Sequence, residues 1–263
     1  MAEFSSDDLQ GSLFTRVKLR EACFTRVDMG EARFRASDLS GVVMRAVSVD
    51  RAEIDAPWLY EGSLSVNGVD VVPLVEAELN RRFPGRSERR ASDPDHLRAA
   101  WAALERAWEA ITERVATMPD GTVDISVEDE WSFAQTLRHL VLATDMWLGK
   151  AVLRREQPFH PLGLIDAASA EGFDLSGFVT ETPSYSEVLH ARAERVAMVR
   201  DFLAAVTAEE LAADRPNPHA PEYQETVLSC LHTILEEEWE HQRYAVRDLD
   251  RISGGECSTE CQQ

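Results

Sequence analysis

Large hydrophobic residues recur at every fifth position over the first sixty residues of the chain. A small or β-branched residue stands two positions before most of them. Neither an α-helix nor a flat strand has this period, but a coil with four sides of five residues does. One large and one small side chain from each side would then fill the interior of the coil. The large residues are Leu9, Phe14, Leu19, Phe24, Met29, Phe34, Leu39, Met44, Val49, Ile54 and Leu59.

This pattern resembles the pentapeptide-repeat family over about residues 4–60, which implies a short right-handed quadrilateral β-helix. The array is long enough for between about two and three coils, so its ends need caps and we expect it to dock against the rest of the chain. Some members of this family mimic DNA and bind topoisomerases. Residues 1–60 carry ten acidic and eight basic side chains. This near-neutral balance favours a folding cap or docking surface over a DNA mimic.

A connecting region with a different pattern follows the repeat. Asn-Gly at 67–68 separates two short alternating runs, which predicts a β-hairpin. Pro73 can open a short helix to about Phe83, and Pro-Gly at 84–85 ends it. Residues 86–93 are polar and rich in arginine, so we expect a linker there.

Four later segments carry hydrophobic residues at helical spacing, which predicts a four-helix bundle. The first spans about 95–115 and the fourth about 225–252. The second begins after Ser132 and the third after Ser184, each with Gln or Glu three residues on, the pattern of a capping box. Between these two, residues 156–183 are rich in proline and glycine and predict a long loop.

Composition narrows the functional classes. A formal net charge of −20 disfavours binding to nucleic acid through phosphate neutralisation. The sequence has no run of eighteen apolar residues and no basic and apolar N-terminal signal, so we expect a cytoplasmic protein without a membrane partner. Four scattered cysteines do not suggest a disulfide framework. Two of them, Cys257 and Cys261, lie in the C-terminal tail, where a flexible end is favoured over a metal or redox role.

The apolar stripe of the last predicted helix is interrupted by charged and polar side chains. Glu237 and His241 are four residues apart and therefore share one face. They are either a hydrogen-bonded core pair or two ligands of a metal whose third ligand lies on another helix. Among the seven histidines, His139 alone combines a position inside a mostly apolar helix with expected burial. His232 would face the opposite side of the last helix.

Three runs, 131–140, 160–163 and 237–249, resemble the DinB/YfiT superfamily. The chain is most similar to members that include mycothiol-dependent maleylpyruvate isomerase and mycothiol S-transferases, over about residues 65–252. The family binds a metal through one histidine on its second helix and a Glu/His-x-x-x-His pair on its last. These positions correspond here to His139, Glu237 and His241. Glu238 falls on the core row and could replace Glu237 as the ligand, and many relatives have histidine where Gln242 stands.

The resemblance implies an enzyme that uses a divalent metal, with zinc the usual choice for imidazole and carboxylate ligands. Coordination favours thiolate, so a small thiol such as mycothiol would attack an electrophilic substrate as a transferase or isomerase. Arg243 and Arg247 could hold a carboxylate of thiol or substrate, or could form salt bridges with Glu240 or Asp250 instead. A non-catalytic binding protein and a purely structural interaction protein are the alternatives, and a homodimer is plausible.

We therefore predict an α+β chain with a β-helix at 1–62 and a hairpin and short-helix connector at 63–93. A DinB-like four-helix bundle follows at 94–255, and its last helix ends at the Gly-Gly pair at 254–255. Residues 256–263 form a flexible tail.

Overall fold

The computed structural model describes residue 4, residues 8–165 and residues 174–260, with side chains described as far as 254. The chain divides into two compact units, Met1–Ile54 and Asp55–Gln263. Within the described residues, every helix is too short or too polar to cross a lipid bilayer. The side chains of Cys257 and Cys261 lie outside the described part of the chain.

The first unit keeps the five-residue period in its backbone. A hydrogen-bonded turn recurs every ten residues, from Ser12 N–H to Leu9 O at 3.0 Å up to Ala52 N–H to Val49 O at 3.2 Å. L-residues seldom adopt positive φ, so its recurrence at every fifth position marks a genuine structural repeat. Positive φ occurs at Gly11, Arg16, Glu21, Arg26, Glu31, Ala36, Gly41, Ala46 and Arg51.

The side chains of this unit do not form the filled interior that the sequence predicted. All described residues from 8 to 54 are exposed, and the large repeat residues Leu9 to Ile54 expose between 41% and 62% of their surface. No strand is assigned within this described stretch. A repeat buries its apolar face only against neighbouring coils above and below it, and this short array offers few such neighbours.

In the second unit, a 3₁₀ helix at Leu59–Glu61 precedes the predicted hairpin. Strands β1 (Ser65–Val66) and β2 (Val69–Asp70) pair antiparallel. Asn67 and Gly68 have φ of 51° and 82°, as a two-residue type I′ turn requires. Helix α1 (Val72–Arg82) follows, so both predicted elements are confirmed.

The prediction that residues 86–93 form a polar linker is wrong for two arginines, which are buried. Residues Arg86–Arg90 form a 3₁₀ helix in which Arg86 and Arg89 are 1% and 7% exposed. Both guanidinium groups bind Glu76, at 2.9 and 2.7 Å. These two arginines can be buried because the carboxylate that they share, Glu76, compensates their charge.

Four long helices pack around one hydrophobic core, as the sequence predicted. They are α2 (Pro94–Ala116), α3 (Phe133–Thr144), α4 (Tyr185–Ala205) and α6 (Val227–Glu260). Both predicted capping boxes form, since Ser132 and Ser184 each accept a hydrogen bond from the backbone of the third helical residue. Trp101, Leu104, Leu140, Leu148, Ile234, Trp239 and Leu249 are among the fully buried side chains of the core.

The structure departs from the predicted helices in three places. Helix α3 continues as a π-helix over Asp145–Val152. A short helix, α5 (Ala208–Leu211), and a second hairpin of β3 (Asp214–Pro216) and β4 (Gln224–Thr226) precede α6, where the sequence predicted no element. Helix α6 runs through the Gly-Gly pair, because glycine costs only about 1 kcal/mol in a helix interior and does not force an end.

Candidate metal centre

Three side chains from two helices of the bundle meet at one point. The capping box fixes the start of α3, so His139 lies nearly two turns into that helix. Glu237 and His241 lie one turn apart on α6. The nearest donor atoms of the three side chains all lie within 4.8 Å of one another. Oε2 of Glu237 is 3.4 Å from both Nε2 of His139 and Nδ1 of His241.

One ring nitrogen of His139 and one of His241 lie within hydrogen-bond distance of a backbone carbonyl. Nδ1 of His139 lies 3.2 Å from the carbonyl oxygen of Leu164, and Nδ1 of His241 lies 2.8 Å from that of Glu237. A carbonyl can only accept, so Nδ1 is the donor in each contact, and Nε2 is the nitrogen that a neutral imidazole would have left for a metal. Metal-binding histidines show this arrangement, in which the second nitrogen donates to a carbonyl or carboxylate.

Burial and mutual contact set the charges of the cluster. Burial would raise the pKa of Glu237, but its contacts with the imidazoles of His139 and His241 hold that pKa below its usual value. Burial, together with nearby His139, lowers the pKa of His241 to about 4. At neutral pH the carboxylate is therefore ionised and His241 is neutral, the protonation states that a metal ligand needs.

Aromatic rings enclose the imidazoles. The ring centres of His139 and His241 are 4.7 Å apart and nearly parallel. The indole of Trp131, one residue before the cap of α3, lies 4.6 Å from the His139 ring and 6.1 Å from the His241 ring. Tyr244 meets His241 edge-on. The three side chains of the cluster are 14–21% exposed, and this partial burial strengthens the electrostatic interactions between them.

Glu238, the alternative carboxylate, points to a different neighbour. Its side chain is 1% exposed, and its Oε2 lies 2.5 Å from Nη2 of Arg192 on α4. Gln242, one turn further along α6, is equally buried. Adjacent residues in a helix point about 100° apart. The fold thus directs Glu237, and not Glu238, toward the two histidines.

Arg243 and Arg247, which the sequence offered for binding an anionic ligand, are engaged in ion pairs. Arg243 binds Asp55 at 2.5 Å and Glu240 at 2.9 Å. Arg247 binds Asp55 at 2.8 Å and also Glu130 and Asp248. The salt-bridge interpretation, which the sequence left open, describes these contacts: Glu240 is one of the two predicted partners, whereas the other, Asp250, pairs with Arg114.

The histidines outside the cluster have other environments. Nε2 of His232 lies 2.8 Å from the carbonyl oxygen of Ala91, and His190 is exposed beside Glu194. His219, which the sequence placed in a loop, lies beside Trp147 with the ring centres 5.6 Å apart and the rings tilted by 59°, and it contributes to the low pKa of Glu237. No pattern in the sequence indicated this approach, because His219 lies on the loop between β3 and β4, where no element was predicted.

Two imidazoles and one carboxylate are a donor set that suits a divalent cation such as zinc. The model for the DinB superfamily matches residues 103–245, a range that contains all three side chains. The model for pentapeptide repeats matches residues 12–48 in eight copies. Members of the DinB superfamily bind metal and have a helical fold. Neither the curated proteins nor the solved structures include a match to this chain.

Proposed function

This chain belongs to the DinB superfamily, and we propose that it is a metal-dependent enzyme that adds a low-molecular-weight thiol to a small electrophile. The reaction would either transfer the thiol or isomerise a double bond by addition and elimination. The observation that carries this proposal is the convergence of His139, Glu237 and His241 with the Nδ1 proton of each imidazole already bound. Three protein ligands leave a further position open to a substrate.

Zinc is the metal that we propose, since it accepts mixed imidazole and carboxylate ligands in a tetrahedral site. When bound, the cation supplies positive charge that favours thiolate, the nucleophilic form of a thiol. Glu237 would contribute one negative charge, and the neutral imidazoles would contribute their Nε2 lone pairs. Trp131 would shield one side of the site from water.

The thiol is proposed to come from a substrate, with mycothiol as the candidate from the family resemblance. Burial raises the pKa of Cys230 to about 12, so this cysteine stays protonated and does not supply the nucleophile. Arg243 and Arg247 could bind a substrate carboxylate only by exchanging the ion pairs that they make with Asp55. A role for them in substrate binding stays a prediction.

Metal content and thiol consumption test the proposal together. The protein would be purified without chelator, and its zinc measured beside that of His139→Ala, Glu237→Ala and the control His190→Ala, whose imidazole is exposed. We expect about one metal ion per chain in wild type and control, and almost none in the two ligand variants. Free thiol should disappear in the presence of an enoyl diacid or an epoxide, at a rate that falls to background in the ligand variants. If metal-free and zinc-loaded protein consume thiol at equal rates, the proposal of a metal-dependent enzyme is wrong.

A second function, a metal-binding protein that recruits a protein partner, is supported by the exposed apolar side chains of residues 8–54. We also propose that about residues 4–60 form a short right-handed quadrilateral β-helix once neighbouring coils stack, as the five-residue recurrence of positive φ suggests. Bound zinc without any thiol consumption would favour the binding protein. Sedimentation of wild type beside Phe24→Asp would show whether the exposed row instead forms a homodimer.

A further inference from the structure

The orientation of His139 depends on a chain segment outside its own helix. Leu164, whose carbonyl accepts the Nδ1 proton of His139, lies in the loop after the π-helix. The N–H of Leu164 donates to the carbonyl of Arg138 at 3.2 Å, and Nε of Arg138 donates to the carbonyl of Leu162 at 2.9 Å. Residues 162–164 are therefore attached to α3 beside the proposed ligand.

A buried carboxylate anchors the start of this segment. Asp145, the first residue of the π-helix, is 0% exposed. Its Oδ2 accepts the backbone N–H of His160 at 2.7 Å, and its Oδ1 accepts Nε–H of Arg195 at 2.8 Å. Burying an unpaired carboxylate is costly, so Arg195 compensates its charge. The proposed thiol chemistry makes no use of Asp145.

The atoms packed around Gly163 are a second, independent sign that residues 160–164 are held in place. A Cβ at this position would lie 3.0 Å from Cε1 of Phe178, 3.2 Å from the carbonyl oxygen of His160 and 3.4 Å from Cβ of Leu142 on α3. Phe178 and the carbonyl of His160 would have to shift to admit a side chain here, whereas Leu142 on α3 is at ordinary van der Waals distance. The turn of residues 160–163 is therefore tightly packed at the residue next to Leu164.

We infer that Asp145, paired with Arg195, is a positioning residue for His139. It holds residues 160–164 against α3, so that the carbonyl of Leu164 keeps the proton of His139 on Nδ1 and presents Nε2 to the cluster. This inference rests on the proposed function insofar as His139 binds metal. Loss of a group that orients a metal ligand typically weakens metal binding by about 10- to 100-fold.

The test compares Asp145→Asn and Gly163→Ala with wild type and with Glu105→Gln. The control removes another ion pair of α4, between Glu105 and Arg200, away from the segment. Zinc affinity is measured by competition with a chromophoric chelator. The tautomer of His139 is measured in the metal-free protein by ¹⁵N shifts of the imidazole, and urea unfolding gives the stability of each variant.

We expect zinc affinity to fall by about 10- to 100-fold in Asp145→Asn and Gly163→Ala and to stay unchanged in Glu105→Gln. The Nδ1–H tautomer of His139 should lose its predominance in the first two variants only. A folded Asp145→Asn protein with reduced stability but unchanged tautomer and affinity would overturn the inference. If Asp145→Asn does not fold, Gly163→Ala decides by the same two measurements. If wild type binds no zinc, the proposed function fails, and the tautomer still tests the positioning of His139.

Discussion

Glu237 and Glu238 are neighbours in sequence, but we predict that neutralising Glu238 lowers the stability of the protein, whereas neutralising Glu237 abolishes metal binding. Glu238→Gln leaves the guanidinium of Arg192 buried without its carboxylate partner, 2.5 Å away in the wild type. Removing one partner of a buried ion pair costs about 3–5 kcal/mol, which lowers the melting temperature of a unit of this size by about 6–20 °C. Glu237→Gln should cost less stability, because the neighbours of this half-buried side chain are imidazoles. It should abolish metal binding instead.

Thermal unfolding and elemental analysis of the two variants check this prediction. The double variant Arg192→Met/Glu238→Gln serves as the control and should recover part of the lost stability, since neither charge then remains unpaired. Zinc retained in Glu237→Gln and lost in Glu238→Gln would show that the reasoning from the fold is wrong and that Glu238 is the ligand. An unchanged melting temperature of Glu238→Gln would refute the stated role of the Arg192 ion pair.

Three further predictions concern pH, fluorescence and packing. His241 has a pKa of about 4 when folded and an ordinary value of 6.5, so the unfolded chain takes up its proton first as pH falls. The unfolding free energy of the metal-free protein should therefore decrease by about 3 kcal/mol from pH 6.5 to 4, at 1.36 kcal/mol per unit. His241→Gln should flatten this part of the denaturation profile, and an unchanged slope would contradict it. Bound cobalt(II) should quench the fluorescence of Trp131, whose ring centre lies 4.6 Å from that of His139, and Trp131→Phe should remove most of that quenching. Gly85 has φ of 100°, and an added Cβ would lie 2.8 Å from Cβ of Ala103. Gly85→Ala should cost about 2–4 kcal/mol in urea unfolding. Gly121→Ala, with φ of 86° and open space, should cost only about 1–2 kcal/mol, and equal losses would exclude the packing contribution.

Local patterns predicted most of the helical unit, because the signals for a helix lie within a few residues of each other. Ser132 with Gln135 and Ser184 with Glu187 marked two helix starts that the structure confirms. The Asn-Gly pair marked the hairpin. The three-residue strands β3 and β4 were missed, since they are too short to show an alternating pattern.

The sequence by itself determined the five-residue repeat, the four long helices and the shared face of Glu237 and His241, since each depends on spacing along one segment. Only the tertiary structure decided the rest. Arg192 of α4 pairs with Glu238 of α6, and the packing of α3 against α6 places His139 beside Glu237. Burial of Arg86 likewise depends on Glu76 of α1 and Glu240 of α6, and burial of Asp145 depends on Arg195 of α4. The physical reason is that a charged side chain enters a core only where another part of the chain compensates its charge.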